Sequence, residues 1–476
     1  MLARIAIVHG WSDDSKSFRD LKVFLQGNGF QTVPIWLADY VSLDDDVRIE
    51  DVAKRMQVVV NELLTSGALS KPFDLIVHST GGLVAREWVA TYYPDGRGCP
   101  VKRIIMLAPA NFGSRLAALG KSMIGRLAKG WNNWLQSGEQ MLKALELASP
   151  YQWKLARRDL LDPTGSGAGG PYGHGKIWPF VIVGSRAYAS GLRTIANEDG
   201  SDGTVRVSAA NLNAVGMTVD FASNPDNPVV SPWSSRVTAP QIPCAVLPDR
   251  DHGLVVHPDA NVKADPATTR RLGELVLQAL ACDTDATYDR IATAWGAISE
   301  DTASLAGDAV RRSAMFQDPR PGPETFHQYM QFFVYARDDH GQPVNDFFLE
   351  FFAPETRGDQ DAVYFHAEVL EHVHTNTVAP SHRCLYIDRT DLLENFYQHV
   401  IAPEKKKLAV SVSAAPIGPN VRYFDKTKEG ARGHVIMHEQ DPVRRAMLDA
   451  RLHRNSTHLV ELILPRQPID KVFRLS

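Results

Sequence analysis

Three polar residues stand where they could together perform nucleophilic chemistry. Ser79 closely follows the apolar run 75–77 and precedes two glycines, whereas Asp202 and His252 lie in polar segments further along the chain. A serine hydroxyl is a poor nucleophile at neutral pH, so it needs an imidazole to take its proton and a carboxylate to orient that imidazole. These residue types predict a serine nucleophile if the fold brings them together. The alternative is that Ser79 only caps a helix, Asp202 only forms a turn and His252 lies on the surface.

Other acids and histidines compete for these two roles. Asp202 stands in an Asp-Gly turn, and His252 follows the apolar run 244–247 by a few residues, so we expect both in loops. We therefore prefer these two as the partners of Ser79. The competing acids are Asp199, Asp249 and Asp251, and the competing histidines are His174 and His257.

Short β-branched runs alternate with helical patterns through the first 280 residues. Such alternation requires crossover connections and predicts a mainly parallel sheet covered by helices on both faces. The expected strands are residues 5–8, 32–36, 73–78, 103–108, 180–184 and 244–247, and the expected helices are 18–26, 49–64, 82–91 and 265–281.

The segment Leu75-Ile76-Val77-His78-Ser79-Thr80-Gly81-Gly82-Leu83-Val84 resembles the nucleophile elbow of the α/β-hydrolase superfamily. Val77 stands where that superfamily usually has glycine, and we expect His78 to be a packing residue behind the elbow. The resemblance covers residues 1 to about 280. It implies a catalytic triad in the order Ser79, Asp202, His252.

A second motif follows the first expected strand. His9-Gly10-Trp11 is similar to the segment that supplies one oxyanion donor in lipases and esterases of the same superfamily. The resemblance implies that the backbone N–H groups of Trp11 and Thr80 hold the negative charge that develops on the substrate. It implies no metal and no cofactor.

A long insert separates the strands expected at 103–108 and 180–184. Its segment 116–135 combines leucines and tryptophans at helical spacing with Lys121, Arg126 and Lys129 and contains no acid. A helix of this kind can lie at a lipid interface, which predicts either a mobile lid or a fixed cap over the site and transient contact with a membrane surface. An apolar roof of either kind favours an acyl chain or another apolar ester as substrate.

The chain changes texture after residue 282. Residues 283–323 form an Ala-rich helical or linker segment that ends in a Pro-rich stretch. Residues 324–476 then show short strands separated by turns, which predicts a β-rich, sandwich-like domain. The expected strands are residues 329–336, 347–352, 363–370, 383–387, 408–413, 434–438 and 458–464.

Two further clusters have weaker chemistry. Glu371-His372-Val373-His374 places two histidines on one face of a strand, but without a third ligand in view a structural role is the better interpretation. The acidic run 44–46 is more simply a helix cap than a calcium site. We therefore predict no metal site.

Composition excludes several classes of protein. The 476 residues carry 51 Lys and Arg against 55 Asp and Glu, a net charge of −4 without basic clustering, which argues against a nucleic-acid partner. The 4 cysteines form no CxxC pair, so a zinc site or a disulfide framework is not expected. No signal-peptide pattern or apolar run of membrane-spanning length is present, which predicts a cytoplasmic protein, with signal-less export left open.

Together these observations predict an α/β-hydrolase fold at residues 1–282, with a helical cap insert at about 112–178, followed by the helical or linker segment and the β-rich C-terminal domain. The predicted function is a lipase or esterase that cleaves carboxylic esters of apolar acyl chains. Two alternatives stay open: a phospholipase, including one delivered to other cells, and a non-catalytic interaction module on the same fold.

Overall fold

The computed structural model describes residues 4–8, 18–35, 46–118, 138–188, 194, 196–258, 266–316, 323–354, 360–400, 407–423, 433–439 and 452–468. The predicted oxyanion residue Trp11 lies outside these residues. So do residues 119–135 of the basic, tryptophan-containing segment.

The strands of the described residues follow the order of the chain. They are β1 (Arg4–Val8), β2 (Gln31–Ile35), β3 (Phe73–His78), β4 (Val101–Leu107), β5 (Trp178–Gly184), β6 (Val215–Asp220), β7 (Val229–Pro232), β8 (Cys244–Leu247), β9 (Tyr329–Asp338), β10 (Phe347–Phe352), β11 (Leu370–Thr375), β12 (His382–Asp388), β13 (Lys407–Ala414), β14 (His434–Glu439) and β15 (Thr457–Leu464). Two short antiparallel pairs, Leu161–Asp162 with Ser234–Ser235 and Val421–Tyr423 with Arg466–Pro468, accompany them.

The α-helices lie between these strands. They are α1 (Arg19–Gly27), α2 (Ile49–Thr65), α3 (Gly81–Tyr92), α4 (Arg115–Ala118), α5 (Glu139–Leu145), α6 (Pro150–Asp159), α7 (Val207–Ala210), α8 (Pro266–Ala281), α9 (Asp285–Phe316), α10 (Gln360–Tyr364) and α11 (Arg389–Asp391). The 3-10 turns Leu254–Val256 and Pro323–Phe326 and the π-helical turns Phe365–Val369 and Leu392–Val400 complete the described helices.

A six-stranded parallel sheet carries the candidate site. Its strand order is β8-β5-β4-β3-β1-β2, and every neighbouring pair is parallel. The strands were predicted because continuous apolar runs suit strands buried on both faces, and the observed bounds differ from the expected ones by two residues at most. Since all six strands run the same way, the loops that follow them meet at one edge.

Helices cover both faces of this sheet. On one face, Leu75 and Val77 pack with residues of α2 and α3, such as Met56 and Trp88. On the other face, Ile76 packs with residues of α1, α8 and α9. The alternation along β3 follows from the pleat, because successive side chains of a strand point to opposite faces. The α/β-hydrolase layering expected from the sequence is confirmed.

The C-terminal part is β-rich, as predicted. A six-stranded sheet in the order β11-β12-β9-β15-β6-β7 faces a three-stranded antiparallel sheet in the order β10-β13-β14, with a shared apolar core between them. Two of its strands, β6 and β7, come from the segment between Asp202 and His252, and β6 pairs in parallel with β15. The larger sheet is therefore built from both halves of the chain. The division at residues 282 and 324 stays a prediction.

One predicted strand is wrong. Residues 363–370 are not a strand, because α10 and the π-helical turn Phe365–Val369 occupy most of that segment and a strand begins only at Leu370. Phe365 and Val369 are both buried at a spacing of four, which is a helical period, so burial on one face outweighs their β-branched and aromatic character. Among the described residues, no helix combines the length and the apolar character that a membrane span requires.

Candidate active site

Ser79 occupies a sharp turn between β3 and α3. Its φ angle is +53°, a left-handed conformation that non-glycine residues rarely adopt and that costs about 1 kcal/mol or more. Backbone hydrogen bonds hold the turn, from Ser79 N to Leu107 O at 3.1 Å and from Gly82 N to Ser79 O at 3.0 Å. This backbone conformation places the Ser79 hydroxyl at the carboxyl edge of the parallel sheet.

The two glycines after Thr80 differ in how closely their neighbours approach. A Cβ atom on Gly82 would lie 2.6 Å from Cβ of Pro109, which is too close for any side chain. A Cβ on Gly81 would lie 3.5 Å from Cβ of Val77, an ordinary contact distance. Val77 therefore fits two residues before the serine without a close contact at residue 81.

Asp202 lies at the tip of a tight turn that the bridge between Ser201 and Arg206 closes. Its Oδ1 accepts hydrogen bonds from the N–H groups of Thr204 at 2.9 Å and Val205 at 2.7 Å. These two donors orient the carboxylate and leave Oδ2 to face the histidine. The side chain is fully buried.

His252 follows β8 and connects the other two residues. Its Nδ1 lies 2.8 Å from Oδ2 of Asp202, and its Nε2 lies 3.1 Å from Oγ of Ser79. A carboxylate only accepts hydrogen bonds, so the neutral ring carries its proton on Nδ1 and offers Nε2 as the acceptor for the serine hydroxyl. Ser79 is 1% and His252 5% exposed, so the contacts are shielded from water.

Two residues beside the serine were singled out from the sequence for other reasons. His78 is buried behind the elbow, as expected, but it also lies 3.0 Å from the carbonyl oxygen of His252. Thr80 begins α3, and among the described residues no carbonyl accepts a hydrogen bond from its backbone N–H. A helix N-terminus presents such N–H groups to an anion.

The competing acids and histidines have partners elsewhere. Asp251 caps the turn at 253–254, and Asp249 lies beside Arg250. His174 contacts Asp289, and His257 contacts Asp20. The geometry brings together the three residues that the sequence favoured. These other groups stay outside hydrogen-bond contact with Ser79 in the described part of the chain.

The two histidines of β11 contact different partners. His372 lies 3.1 Å from Nη2 of Arg206, whereas His374 lies 2.9 Å from a carboxylate oxygen of Glu146. Glu146 belongs to the insert, and Arg206 belongs to the turn that carries Asp202, which we call the acid turn (residues 198–206). β11 therefore contacts both the insert and the acid turn. Neither contact was predicted, because residues so far apart in sequence leave no spacing signal.

A different trio could in principle hold a cation. One ligand atom each from His327, Asp388 and Asp391 lies within 4.8 Å of the others, and His327 Nδ1 is 2.6 Å from Asp388. Burial lowers the pKa of His327, but the hydrogen bond and charge of Asp388 raise it by more. Burial and the charge of Asp388 raise the pKa of Asp391 to about 6. These contacts hold the start of α11 against β9 without requiring an ion.

Comparison with known proteins agrees with the fold. The sequence profile of the alpha/beta hydrolase family matches residues 5–264. The chain therefore belongs to the alpha/beta hydrolase family. No curated protein matches it in sequence.

Solved structures extend the likeness over the whole chain. The phospholipase PlaB from Legionella pneumophila has a TM-score of 0.76 at 24% identity, covering 100% of this chain and 96% of that chain. The same phospholipase in complex with thio-NAD gives 0.74 at 23% identity, with coverage of 100% and 96%. A lipase from Bacillus licheniformis covers 54% of this chain and 87% of its own, with a TM-score of 0.35 at 16% identity. The first two share the fold of both the hydrolase and the β-rich parts.

Proposed function

We propose that the chain is a serine hydrolase that cleaves carboxylic esters of apolar acyl chains. The observation that carries this proposal is the continuous hydrogen-bonded path from Asp202 through His252 to the strained, buried Ser79. The strained backbone at Ser79, the burial of polar side chains and the fixed orientation of His252 each lower the stability of the fold. Their combination around one serine is typical of an activated nucleophile. Family membership supports the same reaction class.

The geometry suggests the following sequence of steps. Oγ of Ser79 attacks the acyl carbonyl carbon while its proton moves to Nε2 of His252. The tetrahedral oxyanion is held by the N–H of Thr80 and, in our proposal, by that of Trp11. Collapse breaks the bond to the alcohol, which leaves with the proton from His252. Water then repeats the steps, with His252 as base, and releases the carboxylic acid.

Asp202 does not transfer the proton in this scheme. Its carboxylate keeps the proton of the neutral ring on Nδ1 and stabilises the imidazolium that forms when the serine is deprotonated. The two amide donors to Oδ1 hold the carboxylate in place for this role. The reaction requires no metal or cofactor.

A phospholipid is the second candidate substrate. The likeness to a phospholipase favours it, because that likeness covers the β-rich part as well as the hydrolase part. The basic segment 116–135 with its tryptophans would suit an anionic lipid surface. On this proposal the insert makes transient contact with a membrane.

The test compares soluble and lipid esters with one set of proteins. Wild type, Ser79→Ala and Asp202→Asn are assayed on p-nitrophenyl esters of increasing chain length and on phospholipid liposomes. We expect turnover by the wild type and a loss of about 10³-fold or more in Ser79→Ala. Higher activity on liposomes assigns a phospholipase, and higher activity on soluble esters assigns an esterase. Equal turnover by wild type and Ser79→Ala would overturn the proposal.

A further inference from the structure

The acid turn is built against the β-rich sheet. Tyr329 of β9 and Tyr386 of β12 stack with ring centroids 4.8 Å apart and an interplanar angle of 13°. The backbone at Gly200, two residues before Asp202, lies directly on these rings. A Cβ atom on Gly200 would lie 2.0 Å from Tyr329 and 2.5 Å from the hydroxyl of Tyr386. The φ angle of Gly200 is +66°, which also favours glycine.

Arg206 ties the two ends of the turn together. Its guanidinium donates two hydrogen bonds of 2.7 Å to the carboxylate of Glu198, so the residues that flank Asp202 are joined by a bidentate pair. The Arg206 side chain is 1% exposed. Burial raises the pKa of the Glu198 carboxyl, but the adjacent Arg206 charge lowers it by more, so the pair is ionic.

The same guanidinium rests on the β-rich sheet. Its carbon lies 3.9 Å from the ring centroid of Tyr386, a cation–π contact between two buried side chains. Its nitrogens also reach Sγ of Cys384 and Nδ1 of His372 at 3.3 and 3.1 Å. Burial, together with the Arg206 charge, lowers the pKa of His372 to about 4, so at neutral pH this ring nitrogen accepts a hydrogen bond.

A further hydrogen bond joins the sheet to the turn backbone. The hydroxyl of Tyr386 donates to the carbonyl oxygen of Asp199 at 2.8 Å. Beyond the turn, the chain enters β6 of the same sheet within nine residues of Arg206. The turn that presents Asp202 to His252 is thus held from the β-rich sheet as well as by Ser114 and Tyr188, which both contact Thr204.

We infer that Arg206 and Tyr386 are positioning residues for the triad, and that the β-rich domain completes the catalytic site by fixing the acid turn. This inference rests on the proposed function. Ser79 and His252 follow strands of the parallel sheet, whereas the turn that carries Asp202 also rests on the second sheet through Gly200 and Arg206. A turn released from that sheet would leave the imidazolium without its carboxylate and would not alter how the substrate is bound.

The test uses Tyr386→Phe and Arg206→Lys, which preserve the ring and the charge respectively. Tyr335→Phe is the matched control, since Tyr335 lies on β9 of the same sheet and stacks on His382, away from the turn. We expect kcat to fall about tenfold in Tyr386→Phe, the effect of one lost hydrogen bond, with KM unchanged. We expect kcat to fall about 100-fold in Arg206→Lys, because a lysine cannot make the bidentate hydrogen bonds of the guanidinium to Glu198. The control is expected to stay within about twofold of wild type.

The pH profile separates positioning from folding. When the Asp202 carboxylate moves away, His252 binds a proton less readily. The acid limb of the kcat/KM profile is therefore expected to move to lower pH in Tyr386→Phe and in Arg206→Lys. A merely structural role would lower the amount of active protein and leave the limb in place. Wild-type kcat and an unmoved limb in folded Tyr386→Phe would overturn the inference, even if Arg206→Lys fails to fold. Loss of activity in Ser79→Ala beside that result would leave the proposed function standing.

Discussion

His78 lies directly behind His252, with its Nε2 3.0 Å from the carbonyl oxygen of His252 and the two ring centroids 4.8 Å apart. The carbonyl can only accept, so His78 is the donor and carries its proton on Nε2. The N–H of His252 in turn donates to the carbonyl oxygen of Asp202 at 3.0 Å. The loop that carries the candidate base is therefore anchored on both sides by backbone contacts.

Replacing His78 is expected to loosen this anchor. His78→Phe keeps an aromatic ring, slightly larger than imidazole, but leaves the carbonyl of His252 without this donor, and we expect kcat to fall about tenfold with little change in KM. His257→Phe is the control, because His257 lies on the same loop but pairs with Asp20 at the surface. Steady-state kinetics on a soluble ester measure both. An unchanged kcat in folded His78→Phe would show that the anchor is not needed.

The elbow predicts opposite outcomes at its two glycines. Gly82→Ala brings a Cβ to within 2.6 Å of Pro109, so the turn must shift, and we expect loss of most activity and a lower melting temperature. Gly81→Ala meets Val77 at 3.5 Å and is expected to fold and keep activity. Thermal unfolding and ester hydrolysis of the pair test this. Equal behaviour of the two variants would contradict the described geometry.

A buried ion pair joins the helix after the serine to the insert. Arg86 of α3 contacts Asp159 of α6 at 2.8 Å, and both side chains are 0% exposed. Asp159→Ala would leave a buried, unpaired cation, so we expect a loss of about 3–5 kcal/mol in unfolding free energy. Glu62→Ala removes the exposed partner of Arg55 and is expected to cost less than about 1 kcal/mol. Denaturant titration measures the free energy of unfolding of both variants. Similar losses in Asp159→Ala and Glu62→Ala would contradict the expected difference between a buried and an exposed ion pair.

The cluster of His327, Asp388 and Asp391 at α11 predicts that the free energy of unfolding depends on pH. Burial and the charge of Asp388 raise the pKa of Asp391 from 3.8 to about 6, so in this interval the folded protein holds a proton that the unfolded chain releases. The contribution of Asp391 to the free energy of unfolding therefore falls as pH rises from 3.8 to about 6.

Asp391→Asn removes the charge and keeps an oxygen for Asn395, which donates to Asp391 at 2.8 Å. We expect the variant to gain about 1 kcal/mol in unfolding free energy at pH 8, with the gain shrinking as pH falls from 6 towards 4. Denaturant titrations at several pH values measure the difference. A gain that is independent of pH would point to a cause other than this charge.

Local patterns predicted the parallel sheet and favoured three residues that lie in hydrogen-bond contact in the structure. Strands such as β3 contain continuous apolar runs, and Ser79 stands between such a run and a pair of glycines, so each signal lies within ten residues. Asp202 and His252 were favoured because each follows a short motif. Hydrogen bonds now join both to the path from Ser79, while their catalytic roles stay predictions.

Long-range packing could not be predicted in the same way. The pairing of β6 with β15 and the contact of Arg206 with Tyr386 join residues more than 150 positions apart, and no spacing rule connects them. Residues 363–370 were misassigned because their β-branched and aromatic side chains suit a strand, whereas the buried positions follow a helical period. In both cases the tertiary environment decided what local propensity left open.

Covalent labelling tests the central claim most directly. A fluorophosphonate reacts much faster with an activated serine than with ordinary hydroxyls, and mass spectrometry of the digested adduct identifies the modified residue. We predict a single phosphonylated site at Ser79 in the wild type, slow labelling in His252→Ala and none in Ser79→Ala. Rapid labelling of a different serine, or undiminished labelling of Ser79→Ala, would contradict the account.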